Sequence, residues 1–114
     1  MSHPSKQKGN RYEREIVKQA QEAGIEAERA WGSNGRALGF HEEVDCLLHV
    51  SEEFKLRIQA KVRKKIAQHL KPSVFVDMQV IKEDRGESLA VIRYKDLLEI
   101  LARINQQPKD ENNG

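Results

Sequence analysis

The sequence predicts an α+β chain of the order αβββαββα, its strands forming a mixed sheet flanked by helices. Segments 11–24 and 94–104 space their apolar residues three and four apart, as one face of a helix requires. Segments 43–50 and 54–62 alternate apolar and polar residues with the two-residue period of a strand. Only Ser51, Glu52 and Glu53 separate those two segments, a length suited to a hairpin.

The first helix, RYEREIVKQAQEAG, ends at Gly24, a residue that favours the C-terminal cap. Glu13, Ile16, Val17 and Ala20 fall on one face, so a carboxylate heads the apolar stripe. An unpaired charge there is costly, and Glu13 needs a cation, a metal ion or an exit to water. IEAERA follows as a short strand, then the loop WGSNGRALGFH. In the hairpin beyond it Val50 faces Phe54, Leu48 meets Leu56, Cys46 meets Ile58 and Val44 meets Ala60, which makes one face apolar. The other face sets Asp45 opposite Gln59 and Glu43 opposite Lys61. Residues 64–70 are expected as a short helix stopped by Pro72. Strands at 73–82 and 88–93 flank the turn EDRGE, and Tyr94, Leu97, Leu98, Leu101 and Ile104 form the stripe of the last helix.

A chain of 114 residues suits a single domain, expected over 8–105, with the polar segments 1–7 and 106–114 as disordered ends. From Lys55 to Lys71 there are seven Lys or Arg and no acid, whereas Glu42, Glu43, Asp45, Glu52 and Glu53 lie just upstream. Such a basic block suits a polyanion, or simply a solvated face. Cys46 is the single cysteine, which excludes an internal disulfide and suits a reducing cytoplasm. No apolar run approaches the ~20 residues of a membrane span. GSNG lacks the Gly-Lys-Ser/Thr ending of a phosphate-binding loop, so no nucleotide cofactor is expected. The histidines and Cys46 lack zinc-site spacing.

Within RIQAKVRKK, residues 57–65, Arg57, Gln59, Lys61 and Arg63 occupy alternate positions. An acid on one strand, Asp45, and the triplet Gln59-Ala60-Lys61 on the next suit metal-assisted phosphodiester cleavage. Asp45 and the Ala60 carbonyl are hard oxygen donors of the kind Mg²⁺ prefers. Lys61 is placed to orient the attacking water or to stabilise developing negative charge. The bland reading pairs Lys61 with Glu43 in a surface ion pair worth little.

These pieces resemble the PD-(D/E)xK nuclease superfamily, and within it the archaeal Holliday-junction-resolvase-like group and related phage nucleases. The matching residues are KGNRYEREIV, RAWGSNG, the VD of the acidic strand, QAK, and DRGESLAVIRYKDLLEIL, together spanning about residues 8–104. The resemblance implies a restriction-endonuclease-like fold and catalytic roles for Glu13, Asp45, Gln59 and Lys61, with Ser33 near the scissile phosphate. It implies Mg²⁺, with Mn²⁺ as the alternative, held by Asp45, Gln59, the Ala60 carbonyl and Glu13. Gln59 departs from the usual carboxylate, as it does in Mrr-like restriction enzymes, and Glu43 is the nearest acid able to supply the missing charge. Lys8, Arg11, Arg29, Ser33, Arg36, Arg63, Lys64 and Lys65 are the expected DNA contacts.

The expected function is a metal-dependent DNA endonuclease acting on branched or structured duplex DNA. It would work as a homodimer in the cytoplasm, or in the host cytoplasm if phage-encoded. Two alternatives stay open: a nucleic-acid-binding protein that kept the fold with weakened catalysis, which Gln59 favours, and a protein-interaction domain.

Overall fold

The computed structural model describes residues 4–30 and 41–106. The chain runs α1 (Pro4–Glu22), β1 (Glu26–Arg29), β2 (Cys46–His49), β3 (Lys55–Ile58), a single 3-10 turn (Gln68–Leu70), β4 (Met78–Ile81), β5 (Leu89–Ile92) and α2 (Tyr94–Gln106). The fold class is α+β, as the sequence predicts. The strands pair antiparallel in two sheets, β1-β2-β3 and β4-β5, instead of one mixed sheet.

Helix α1 begins at Pro4 rather than at Arg11. Proline suits a first helical turn, where its missing N–H has no partner to lose. Gly9 and Asn10, which precede the expected helix, are carried inside it at a modest propensity cost. The other end closes as foreseen. Gly24 takes φ +87, Gly24 N–H bonds Gln21 O at 3.0 Å and Ile25 N–H bonds Ala20 O at 2.9 Å. That 6→1 and 5→2 pair needs a left-handed residue, which glycine adopts without a Cβ penalty. Ile25 and Ala20, brought together by the cap, are both core residues.

The hairpin register is the one its apolar alternation specifies: Leu48 pairs with Leu56 and Cys46 with Ile58. A slip of one residue would set Leu48 against a cation. Ala20, Ile25, Ala27, Leu48, Leu98 and Leu101 form the core, with Val17, Val50, Leu56, Ile58, Tyr94 and Leu97 packed on it. Tyr94 Oη donates to Ile16 O at 2.9 Å and fixes the start of α2 on α1. Burial pushes the Tyr94 phenol up to about 12, with the neighbouring Cys46 and Tyr12 adding to the shift. Ile104 leaves the expected stripe and is exposed.

The helix expected over 64–70 shrinks to the 3-10 turn. Short helices are stable mainly through a buried face, and here Ile66 is 56% exposed beside Lys64 and Lys65. Phe75 also leaves its expected strand. It lies in a turn closed by Val76 N–H to Ser73 O, with Ser73 Oγ accepting from Phe75 N–H. Arg93 clamps that turn through the carbonyls of Pro72, Ser73 and Val76. Gln79 on β4 bonds the His69 carbonyl and ties the 3-10 turn to the second sheet.

Candidate active site

The β2–β3 ladder ends at Cys46–Ile58, and the backbone beyond it converges on Asp45. Asp45 N–H donates to Ile58 O at 2.8 Å, and Asp45 O accepts from Ala30 N–H at 2.8 Å. Asp45 is thereby fixed from both neighbouring strands. Its carboxylate Oδ2 accepts the Ala60 N–H at 2.8 Å. Asp45 is therefore bonded to the backbone of Ala60, through the Ala60 N–H and not the carbonyl expected as a metal donor.

Glu13 finds its partner in a cation. Arg29 Nη2 and Nε donate to Glu13 Oε1 at 3.0 and 3.3 Å, and Nη2 also reaches Asn10 Oδ1. The side chains are 8% exposed for Arg29 and 17% for Glu13. Arg29 was expected on the surface as a phosphate contact. It is instead the buried counter-ion of Glu13. Strand parity carries the signal for this, because Arg29 shares its face with Ile25 and Ala27, both buried. Cys46 lies beside this pair, its Sγ donating to Glu13 O at 3.8 Å. Burial pushes the thiol up to about 12; nearby Glu13 and Asp45 add to the shift and Arg29 opposes it. The charges of Glu13, Asp45 and Arg29 thus all act on one thiol, with the Glu13 carboxylate turned to Arg29.

Gln59 and Lys61 separate. Gln59 lines a shallow cleft with His41, Glu43, Val44, Arg57 and Ile58. Lys61 lines two clefts on the side of α1, in company with Lys8, Arg11 and Arg63. Glu43 sits in a turn closed by Val44 N–H to His41 O, and its carboxylate lies 3.7 Å from His41 Nδ1. The Lys61–Glu43 ion pair of the bland reading is not formed. Lys64 and Lys65 are exposed, and His49 pairs with Glu28 on the outer face of the sheet at 2.7 Å. Ser33 and Arg36 lie outside the described residues.

Among the described residues no group of three or more His, Cys, Asp or Glu is set to hold a metal ion. Asp45, the Ala60 carbonyl and the Gln59 amide are all hard oxygen donors, with one formal charge among them. That set fits Mg²⁺ in the manner of a site completed by water and substrate phosphate, which needs only one or two carboxylates. No helix among the described residues is long and apolar enough to cross a membrane.

A family model described as archaeal Holliday junction resolvase (hjc) matches residues 4–106. That span runs from the first turn of α1 to the end of α2. Comparisons with curated proteins and with solved structures gave no match.

Proposed function

Because this chain belongs to the archaeal Holliday junction resolvase family, a family of nucleases acting in DNA recombination and repair, we propose that it is a divalent-metal-dependent endonuclease selective for branched DNA. The observation that carries the site assignment is the Asp45–Ala60 contact at the edge where Lys61 enters the α1 cleft. Asp45 and the Ala60 carbonyl would hold the ion, Mg²⁺ or alternatively Mn²⁺. A bound divalent ion supplies Lewis-acid polarisation of the phosphate there.

The chain's own residues do the rest. Lys61 brings an exposed ammonium to the scissile phosphate, orienting the attacking water and countering charge as the phosphorus–oxygen ester bond breaks. Gln59, in the neighbouring cleft with Glu43, offers an amide oxygen to the water shell. Glu13, neutralised by Arg29, accepts from Cys46, the residue next to Asp45, through its backbone carbonyl on α1. Lys8, Arg11, Arg63, Lys64 and Lys65 hold backbone phosphates, which gives affinity without sequence preference.

A junction has two strands to cut, so two copies are needed. The hairpin β4–β5 and the turn before it support a homodimer through this face. Val74, Phe75 and Val76 are exposed in the turn, and Met78 and Val80 are exposed on one face of β4. A two-stranded sheet is marginal by itself, and exposed apolar side chains grouped on one side of it favour an interface.

The test incubates the protein with four-way junction or linear duplex in Mg²⁺, Mn²⁺ or EDTA. Cutting of the junction in metal and not in EDTA is the expected result. A second reading is favoured by Gln59, which leaves Asp45 as the one carboxylate in the set of Asp45, the Ala60 carbonyl and the Gln59 amide. It is a junction-binding protein with weakened catalysis, shown by EDTA-resistant binding without cutting.

A further inference from the structure

The cleft beside Lys61 holds more than a phosphate contact requires. It measures about 420 Å³ and lies between the first half of α1 and the segment after β3. Lys8, Arg11, Lys61 and Arg63 line it with Glu15 as the one acid. None of these four cations forms an ion pair among the described residues. Its remaining wall is Tyr12, Val62 and Ile66. Ile66 is largely exposed, although nothing in the core needs it there. A cleft built for phosphates alone has no use for a wall that combines a tyrosine with an exposed isoleucine. An adjoining cleft shares Lys8, Lys61, Val62 and Arg63 and reaches Ala60, whose N–H is bound by Asp45. The two together lead from the Asp45 edge to the Tyr12–Ile66 wall.

We propose that this cleft takes one unpaired nucleotide of the DNA strand next to the cut. Its phosphates lie on Lys8, Arg11 and Arg63, and its base lies against Tyr12 and Ile66. The proposal rests on the nuclease reading for the identity of the strand and deepens it by naming what is selected. Every base has a face that stacks on an aromatic ring, so the contact tolerates any sequence. A base inside a duplex is covered on both faces by its neighbours and cannot reach Tyr12. The cleft therefore favours strands with unstacked nucleotides, such as those at a branch point.

Fluorescence anisotropy of the full chain in EDTA tests this without cutting. The probes are a labelled oligothymidylate and a fully paired duplex of equal length, each titrated across a salt series. Tyr12→Ala is expected to weaken oligothymidylate binding about tenfold while leaving duplex affinity unchanged. Tyr12→Phe should restore it, and Ile66→Ala, at an exposed position that cannot unfold the protein, should weaken it about threefold. Arg63→Ala should weaken both probes and lower the salt slope for oligothymidylate by about 0.7, which neither Tyr12→Ala nor Ile66→Ala should do. The proposal is overturned if Ile66→Ala and Tyr12→Ala bind oligothymidylate like the wild type, or if they weaken both probes equally. Thymidine 5′-monophosphate binding as tightly as the oligomer would also overturn it, since the cleft would then serve a free nucleotide. Selective binding without metal-dependent cutting would sink the nuclease reading and leave the cleft standing. Cutting together with unselective binding would do the reverse.

Discussion

Asp45 and Ala60 are joined across the end of the β2–β3 pair by a 2.8 Å hydrogen bond from the Ala60 backbone to Asp45 Oδ2. The bond holds the carboxylate against the segment after β3 that carries Gln59 and Lys61, so under the proposed function one side chain serves both architecture and chemistry. The two roles separate by substitution. Asp45→Asn keeps an acceptor for Ala60 N–H, whereas Asp45→Ala leaves that donor to water. Urea unfolding should find Asp45→Ala about 1 kcal/mol less stable than Asp45→Asn. Equal stabilities would mean that the hydrogen bond contributes nothing to the fold.

Arg29 and Glu13 are both largely removed from water, so deleting one strands the other. Arg29→Ala should cost about 3 kcal/mol of stability, because the loss of one partner leaves a buried charge uncompensated. Replacing both residues together, Glu13→Gln with Arg29→Met, should recover part of that loss. A cost below 1 kcal/mol for Arg29→Ala would show the pair to be an ordinary surface contact.

Alkaline pH should loosen the fold. Cys46 and Tyr94 both hold their protons more tightly when folded, each pushed up to about 12 from ordinary values of 9.0 and 10.0. Their contribution to stability is complete below the unfolded values and is lost as pH rises through the interval up to about 12. Unfolding free energy should fall from about pH 9 upward, less steeply in Cys46→Ala and Tyr94→Phe. Modification of Cys46 by a disulfide reagent at pH 8 should follow global unfolding. Rapid labelling of the native protein would contradict both its burial and its raised pKa.

Phe75 is 91% exposed in a turn held by Arg93, and under the proposed homodimer it would anchor the second copy. Phe75→Glu should weaken self-association at least about tenfold in sedimentation experiments, with thermal stability of the monomer unchanged. Arg93→Ala, which frees the turn, should weaken it less. Self-association unaffected by Phe75→Glu would move the interface elsewhere.

Much of this architecture was legible wherever two constraints agreed. Alternation of apolar residues set the Leu48–Leu56 and Cys46–Ile58 register, because any slip would bury a cation. Gly24 marked the end of α1 because the cap needs a positive φ. The stripe headed by Glu13 left a cation, a metal ion or an exit to water open. The cation proved to be Arg29, expected on DNA although its parity with Ile25 and Ala27 carried the signal. Legibility failed where tertiary burial decides. Residues 64–70 have helix-forming composition but no face to bury, and residues 73–77 have strand-forming side chains held in a turn by the distant Arg93. Gln59 and Lys61 share a strand parity, yet the ladder stops at Ile58 and their side chains enter different clefts.

Under the proposed function the edge formed by Asp45, Ala60 and Lys61 performs the cutting. Its most direct measurement is the rate of four-way junction cleavage in Mg²⁺ by the wild type, Asp45→Asn and Lys61→Met, with binding of the same junction measured in EDTA. Both variants should cut at least about a hundredfold more slowly, a loss of roughly 2.7 kcal/mol of transition-state stabilisation. Both should still bind the junction within about threefold of the wild type, because the phosphate grip is spread over many cations. Cleavage by Asp45→Asn at the wild-type rate would contradict the account and place the chemistry elsewhere on the molecule.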